Sequence, residues 1–291
     1  MEKWFVMRKG APFQEIAEKF QIHPILARLI RNRDVIGDEA IQLYLNGTIA
    51  DLYDGMLMKD MDKAVDILQE KIREDKKIRI IGDYDIDGIN STYILLEGIK
   101  YLGGEADIDI PDRMKDGYGL NRNLIDRAFD DDIDTIITCD NGIAAREEIA
   151  YGKSLGMTII VTDHHEIPYE EVESEKRYIL PPADAVIDPK QQTCVYPFKE
   201  LCGAGVAYKL IEALFGACGK DIEDVDYLME NVAIATVGDV MDLQGENRII
   251  VKEGLKRLPH TENQGFQALI EANGLTGERI TAYHVGFVLG P

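Results

Sequence analysis

Cysteines are few in this sequence, and long apolar runs are lacking. No two of the four cysteines form a Cys-x-x-Cys pair, so a thiolate zinc site is not expected; they are Cys139, Cys194, Cys202 and Cys218. Sparse, unpaired cysteines indicate a reducing compartment, so we expect a cytoplasmic protein. The longest apolar runs, such as Met157–Val161, have the length of a strand. They fall far short of the roughly 18 residues that span a bilayer, so no membrane association is expected.

Positive charge is also scarce. Lys and Arg number 32 against 53 Asp and Glu, which gives a formal net charge of −21. Because basic side chains that displace counterions supply non-specific affinity for nucleic acid, the chain as a whole should be repelled by nucleic acid. A chain of this charge that handles a polyanion needs a local device to overcome the repulsion. Clustered carboxylates that hold divalent cations would be such a device.

The overall composition is that of a folded protein. The 291 residues are 45% hydrophobic and 29% charged, and they suffice for one large domain or two ordinary ones. Residues 1–75 are predicted to form an N-terminal helical region, because apolar residues recur there at helical spacings. The four helical segments are Phe13–Phe20, Ile25–Ile30, Asp38–Leu45 and Met61–Ile72. No catalytic pattern falls in this region.

Beyond residue 76, short β-rich runs alternate with amphipathic stretches. The five runs are Ile78–Ile81, Ala106–Ile110, Thr135–Thr138, Met157–Val161 and Ala185–Ile187. This alternation predicts an α/β fold with right-handed crossovers, a parallel doubly wound sheet of about five strands with helices on both faces. Helices are expected near Ser91–Leu102, Asn121–Phe129 and Ala144–Leu155. A C-terminal helical region follows, and its clearest helices are Val206–Phe215 and Asp226–Thr236.

Acidic and histidine residues follow three of the predicted strands. The first strand is followed by Asp83, Asp85 and Asp87. The third strand is followed by Asp140, and the fourth by Asp163, His164 and His165. Ligands of doubly wound sheets bind in the crevice at the carboxyl ends of the strands. We therefore expect these side chains to converge on one edge of the sheet.

Packed carboxylates would repel one another unless cations were bound between them. Oxygen ligands together with an imidazole suit Mn²⁺ or Mg²⁺, and the imidazole favours Mn²⁺. Two such ions roughly 3.5–4 Å apart can activate a water and hold both oxygens of an in-line displacement. The pattern therefore predicts a two-metal site that acts on a phosphoester.

Each motif also has another interpretation. Asp-x-Asp-x-Asp-Gly begins an EF-hand loop, but that loop needs Glu at its twelfth position, where this chain has Ile94, and it should follow a helix. Asp83 could instead be the nucleophile of an aspartyl-phosphate enzyme, which would leave the His-His pair unexplained. Asp140-Asn141-Gly142 alone would be a turn, and His164-His165 alone a surface pair.

Together, the ordered motifs resemble the DHH phosphoesterase superfamily, and within it the RecJ-type single-strand-specific exonucleases. The resemblance covers about residues 55–291. Its two central motifs are Asp83-Tyr84-Asp85-Ile86-Asp87-Gly88 and Asp163-His164-His165. The supporting stretches are Ile110-Pro111-Asp112-Arg113, Gly117-Tyr118-Gly119-Leu120, Asp140-Asn141-Gly142-Ile143, Tyr196-Pro197-Phe198-Lys199, Leu201-Cys202-Gly203-Ala204-Gly205-Val206-Ala207 and Val237-Gly238-Asp239-Val240.

The resemblance implies a set of metal ligands. Asp85 and Asp87 would each bind one ion, and Asp140 would bridge the two. His164 would join Asp87 on the second ion, and Asp239 would complete the first. The implied cofactor is a pair of Mn²⁺ or Mg²⁺ ions.

The resemblance also implies roles around the metals. His165 would face the scissile phosphate, and Asp83 would orient a ligand or a water. Arg113 is a candidate phosphate clamp because its guanidinium can bind bidentately, and it could equally be an ordinary surface arginine. At Gly203-Ala204-Gly205, the amides at the start of a helix could meet a phosphate, although we favour close helix–sheet packing.

The implied activity is a 5′-to-3′ exonuclease on single-stranded DNA that releases mononucleotides, in DNA repair and recombination. Single-stranded DNA is the expected partner, with a single-strand-binding protein or a helicase as candidates. Residues 76–291 would form the DHH catalytic domain, with a helical connector from about residue 240. Family members continue into a DHH-associated domain, so we expect an amino-terminal fragment that is weakly active alone.

Two other functions stay open. The same site would serve a phosphodiesterase of short oligonucleotides or cyclic dinucleotides. A non-catalytic DHH-like scaffold that binds DNA or a replication partner is the third hypothesis, although such scaffolds usually lose metal ligands.

Overall fold

The computed structural model describes residues 9–114, 117, 119–173 and 175–290. Tyr118, which is part of the motif Gly117-Tyr118-Gly119-Leu120, lies outside the described residues, as does Pro291. The chain divides into two compact units, Met1–Leu52 and Tyr53–Pro291. The domain boundary near residue 75 stays a prediction, and the helix Met61–Arg73 falls within the second unit.

The first unit is helical, as its apolar spacing predicted. Its helices are α1 (Phe13–Phe20), α2 (Pro24–Asn32) and α3 (Asp38–Asn46), followed by a 3₁₀ turn at Ile49–Asp51. Ile30, Val35 and Ile41 are buried together in a small core. The unit carries none of the candidate site residues.

The second unit alternates strands and helices. Its strands are β1 (Ile78–Ile81), β2 (Ala106–Asp109), β3 (Thr135–Cys139), β4 (Thr158–Thr162), β5 (Tyr169–Val172), β6 (Glu175–Tyr178) and β7 (Ala185–Ile187). Its helices are α4 (Met61–Arg73), α5 (Ile86–Tyr101), α6 (Arg122–Asp130), α7 (Arg146–Ser154), α8 (Gly203–Ala217), α9 (Leu228–Gly238), α10 (Gly245–Arg257), α11 (Gln264–Ala272) and α12 (Ala282–His284). Short 3₁₀ turns lie at Gly55–Leu57, Ile222–Val225 and Leu258–His260, and a π-helical turn at Val285–Leu289.

The central sheet has five strands in the order β2-β1-β3-β4-β7, and all of its pairings are parallel. The predicted doubly wound α/β fold is thus confirmed. Because the strand order places β1, β3 and β4 side by side, the residues that follow them share one edge. β5 and β6 form a separate antiparallel hairpin, which the sequence analysis did not predict.

Helices cover the sheet on both faces. On one face, α6 and α7 pack against alternate strand residues in a core that includes Leu124, Ile149, Ile136 and Ile159. On the other face, α4, α5 and α8 contact the strands, and α8 also contacts both α4 and α5. Strands buried between two helical layers account for the nearly continuous apolar runs of β1, β3 and β4. None of the helices in the described part of the chain is both long and apolar enough to cross a membrane.

The start of α5 differs from its prediction. The helix begins at Ile86, not near Ser91, because the Asp85 side chain caps it. Asp85 Oδ1 accepts hydrogen bonds of 2.9 Å from the amides of Asp87 and Gly88. An aspartate at this position satisfies amides that the helix leaves unpaired. The acidic motif therefore forms the junction between β1 and α5.

Candidate metal centre

The acidic and histidine residues predicted from the strand ends meet at the carboxyl edge of the sheet. Three groups of side chains have ligand atoms within 4.8 Å of one another. These groups are Asp83, Asp85 and Asp140; Asp87, His164 and Asp239; and Asp140, His164 and His165. Because Asp140 and His164 each belong to two groups, the seven residues form one continuous cluster.

His164 lies at the middle of this cluster. Its Nε2 lies 3.1 Å from Asp140 Oδ1, 3.5 Å from Asp87 Oδ2 and 3.8 Å from Asp239 Oδ2. Burial lowers the pKa of His164 to about 4, and the charge of His165 adds to this effect. The imidazole is therefore neutral at pH 7, which is the form that ligates a metal.

Asp87 is fully buried, and the first turn of α8 holds it. Its carboxylate accepts a hydrogen bond of 2.6 Å from the Gly203 amide and one of 2.8 Å from the Ala204 amide. The amides predicted to meet a phosphate or to allow packing thus bind a carboxylate of the site. Gly203 also lies close to Asp140, because a Cβ on Gly203 would stand 2.8 Å from the Asp140 Cβ.

Asp140 sits in an unusual backbone conformation directly after β3. Its φ is +58°, in the left-handed region that aspartate and asparagine tolerate better than most residues. Burial raises its pKa to about 11, and the negative charges of Asp87 and Asp85 contribute to the rise. The pKa of Asp87 rises to about 7, mainly through burial.

Asp83 and Asp85 differ in exposure. Asp85 is exposed, whereas both carboxylate oxygens of Asp83 are buried and have no hydrogen-bond partner of normal geometry among the described residues. Burial raises the pKa of Asp83. Hydrogen bonds from the Tyr84 and Gly119 amides oppose this rise. A buried carboxylate grouped with those of Asp85 and Asp140 indicates a place for a cation.

His165 is fixed by a neighbour in the same motif. Its Nδ1 lies 2.7 Å from Asp163 Oδ1, which also accepts hydrogen bonds from the His164 and His165 amides. This hydrogen bond is the largest cause of the raised pKa of His165. The His165 side chain is 44% exposed, so it lies at the mouth of the centre.

Asp239 reaches the centre from the end of α9. A hydrogen bond of 2.8 Å from Asn231 Nδ2 to Asn90 Oδ1 joins α9 to α5. The two helices approach closely near the site, since a Cβ on Gly238 would stand 2.5 Å from Ile86 Cγ2. The packing of α9 on α5 therefore brings Asp239 within 3.8 Å of His164.

Arg113 lies beside the centre in the loop after β2. Arg113 is exposed, and its guanidinium is 5.4 Å from the centroid of the Tyr84 ring. Tyr84 stands in the sequence between Asp83 and Asp85 of the acidic motif. The phosphate-clamp role of Arg113 stays a prediction.

Two further acidic residues beside the centre were given no role in the sequence analysis. Asp163 appeared in the motif without a role, although it orients His165. Asp188 follows β7, is fully buried, and has one carboxylate oxygen without a partner in the described part of the chain. Burial raises its pKa to about 8. The signal that identified the other acids, a carboxylate directly after a strand, would have found Asp188.

The donor set fits divalent cations. Carboxylate oxygens with one neutral imidazole suit Mn²⁺ and Mg²⁺. Bound cations would offset both the burial and the mutual repulsion that raise the pKa values of Asp87 and Asp140. The motif around Asp83 follows a strand and not a helix, which excludes the EF-hand interpretation. Fold and site thus define an α/β protein with a candidate divalent-metal centre at the carboxyl edge of its sheet.

Comparison with known proteins gives the family. A model described as "DHH family, N-terminal domain" matches residues 77–236, and the chain belongs to the DHH family. It is 39% identical over 294 residues to the single-stranded-DNA-specific exonuclease RecJ of Bacillus subtilis (strain 168), covering 99% of this chain and 35% of that protein. It is 33% identical over 282 residues to the same exonuclease of Escherichia coli (strain K12), covering 93% and 47%.

A solved structure agrees with this placement. The chain superposes on RecJ from Thermus thermophilus in complex with Mn²⁺ with a TM-score of 0.76 and 30% identity, over 96% of this chain and 38% of that one. The chain spans less than half the length of these relatives. Their similarity therefore concerns the part that carries the candidate metal centre.

Proposed function

We propose that this chain is the catalytic part of a metal-dependent 5′-to-3′ exonuclease that acts on single-stranded DNA and releases mononucleotides, in DNA repair and recombination. The observation that carries the proposal is the position of His164 Nε2, 3.1 Å from Asp140 Oδ1 and 3.5 Å from Asp87 Oδ2. Relatives that are 39% and 33% identical to this chain are named as single-stranded-DNA-specific exonucleases, and this supports the choice of substrate.

The grouping of ligand atoms supports a particular division between two ions. Asp87, His164 and Asp239 would hold one, and Asp85 would hold the other, with Asp140 between them. This allocation places Asp239 with His164, whereas the resemblance had assigned it to the ion of Asp85. Asp83, whose buried carboxylate is grouped with those of Asp85 and Asp140, would support the ion of Asp85 as a ligand or through a water.

When bound, the ions would supply Lewis acidity, activating a water and neutralising negative charge at phosphorus. The protein groups around the ions would hold the ligands and the catalytic side chains in position. The α8 amides fix the orientation of Asp87, and Asp163 fixes the ring of His165. His165, partly exposed at the mouth of the centre, would donate a hydrogen bond to the scissile phosphate and stabilise its developing charge.

Calorimetric titration with Mn²⁺ tests the centre. We expect two bound ions per chain in the wild type, and at least one lost in Asp140→Asn, which suits the left-handed backbone at this position. A wild-type chain that binds no Mn²⁺ would support the non-catalytic scaffold.

Hydrolysis assays test the substrate. Single-stranded DNA labelled at the 5′ or the 3′ end should be shortened from the 5′ end with Mn²⁺, and duplex DNA should be spared. Because the chain spans less than half the length of its relatives, the full-length exonuclease of Bacillus subtilis is assayed in parallel as a positive control. Preference for dinucleotides or cyclic dinucleotides over long strands would contradict the exonuclease. The cytoplasmic location remains a prediction, which cell fractionation would test. A single-strand-binding protein or a helicase as partner also remains a prediction, which co-purification from cells would test.

A further inference from the structure

The loop that follows β7 carries a lysine, Lys190, at the same edge of the sheet as the metal centre. β7 is the edge strand next to β4, and the Asp163 amide donates a 3.0 Å hydrogen bond to the Ile187 carbonyl. Residues that follow β7 therefore lie beside those that follow β4, which include His164 and His165.

A compact turn holds the backbone of Lys190 in place. Asp188 Oδ1 accepts a hydrogen bond of 2.7 Å from the Lys190 amide, the arrangement of an Asx turn. The Gln191 side chain donates a hydrogen bond of 2.6 Å to the Val186 carbonyl. Asp188 and Gln191 are both buried, so the turn is part of the folded core.

The side chain of Lys190 points towards the mouth of the centre. Its Nζ lies 3.0 Å from Glu166 Oε1, and Glu166 directly follows His165. Lys190 follows β7, and His164 and His165 follow the neighbouring strand β4, so the Lys190 ammonium lies at the same edge of the sheet as the cluster. An ammonium group thus lies close to a strongly acidic centre.

The ion pair with Glu166 leaves this ammonium able to exchange partners. The Lys190 side chain is only 18% exposed and held by its turn, whereas Glu166 is 87% exposed. An exposed glutamate loses side-chain freedom in such a pair and gains little from it, so a phosphate that enters the site can displace the glutamate. Lysine is a common phosphate ligand that acts as a point charge.

We propose that Lys190 binds a phosphate of the substrate strand adjacent to the phosphate that is cleaved. This inference rests on the proposed function. Arg113 follows β2, at the opposite edge of the sheet, so cations flank the acidic centre on both sides. Four strand spacings separate β2 from β7, about 19 Å. The strand would therefore cross the carboxyl edge of the sheet from the β7 side to the β2 side.

Variants at Lys190 test this with two substrates in the Mn²⁺-loaded protein. A single-stranded oligonucleotide has flanking phosphates, whereas bis(4-nitrophenyl) phosphate has one phosphodiester and none. We expect Lys190→Ala to raise KM for the oligonucleotide about tenfold, and to change both kinetic constants for the small diester by less than about twofold. Lys190→Arg should recover most of the loss, because it keeps the charge.

The salt dependence of oligonucleotide binding, and the effect of one uncharged linkage in the oligonucleotide, give an independent readout. Loss of one phosphate contact should reduce the slope of log affinity against log salt by about 0.7 for a single strand. A methylphosphonate in the linkage next to the 5′-terminal one should weaken binding by the wild type, and should have little further effect in Lys190→Ala.

Lys153→Ala is the matched control. Lys153 Nζ forms an ion pair with Asp184 Oδ2 at 2.6 Å. The Asp184 amide donates a hydrogen bond to the Ile159 carbonyl near the start of β4, whereas the metal centre lies beyond the end of β4. This control should leave both substrates unaffected.

The outcomes separate the two proposals. A wild type that cleaves neither substrate contradicts the proposed function. With an active wild type, equal losses on both substrates in Lys190→Ala indicate a structural role and overturn the inference, as does an unchanged KM for the oligonucleotide.

Discussion

Asp87 Oδ2 accepts a hydrogen bond of 2.6 Å from the backbone amide of Gly203, 116 positions further along the chain. This contact joins the first turn of α5 to the first turn of α8. The amides at a helix start carry partial positive charge, so they stabilise a buried carboxylate. One helix terminus thereby holds an acidic side chain of the candidate centre in place.

The first prediction concerns the fit of α8 against the centre. Gly203→Ala should weaken Mn²⁺ binding about tenfold or more, because the new Cβ would stand 2.8 Å from the Asp140 Cβ and displace that residue. Calorimetric titration measures the change. Gly216→Ala in the same helix is the matched control, since a Cβ there meets nothing within 4 Å. Equal affinities in the two variants would contradict the tight contact.

The second prediction concerns stability and pH without metal. The pKa of Asp140 is raised from 3.8 to about 11, so the folded state holds its proton more tightly than the unfolded state does. Its contribution to stability is complete below about pH 4 and is lost as the pH rises towards the folded-state pKa. Asp140→Asn removes this loss. The Tm of the variant minus that of the wild type should therefore increase between pH 5 and pH 8, roughly the window of stable folding.

Thermal unfolding in a chelator measures this difference, with added Mn²⁺ as the second condition. Mn²⁺ should stabilise the wild type more than the variant, because only the wild type keeps the Asp140 carboxylate. A Tm difference that does not change with pH would show that Asp140 is not protonated in the metal-free protein.

The third prediction concerns His165. Its pKa is raised above 6.5, first by the hydrogen bond to Asp163, so the stability from this pair is present below pH 6.5 and is lost as the pH rises through the folded-state pKa. Asp163→Asn should lower the pKa of His165, since it removes the negative partner. Titration by NMR of the imidazole protons in the metal-free protein follows this change. An unaltered pKa would mean that another group sets the charge of His165.

The fourth prediction concerns the packing of α9 on α5. Asn231→Ala leaves Asn90 Oδ1 without its partner, which should cost about 1–3 kcal/mol in the free energy of unfolding. It should also weaken Mn²⁺ binding, because α9 carries Asp239. Urea unfolding and calorimetry provide the two measurements.

The control for this prediction is Tyr196→Phe, which removes a buried hydrogen bond of 2.6 Å to Glu246 Oε2. It should lower stability by a similar amount and leave Mn²⁺ affinity unchanged, since neither residue belongs to the acidic cluster. If both variants lost metal affinity in proportion to stability, the specific role of the Asn90–Asn231 contact would be refuted.

The sequence alone determined the elements of the fold and the residues at their ends. Apolar periodicity is a local property of the chain, so the sheet strands and most helices could be located from it. Because parallel strands share a carboxyl edge, Asp83, Asp87, Asp140 and His164 could be expected to converge. The role of Asp239 came from family resemblance, since it follows a helix.

Only the tertiary structure decided which partners meet. The α8 amides on Asp87 and the burial of Asp188 depend on how distant segments pack, and no local pattern records these contacts. The order of the strands decides that Lys190 lies beside the histidines. Local periodicity reports which face of an element is buried, whereas the choice of neighbour is made by the whole packed core.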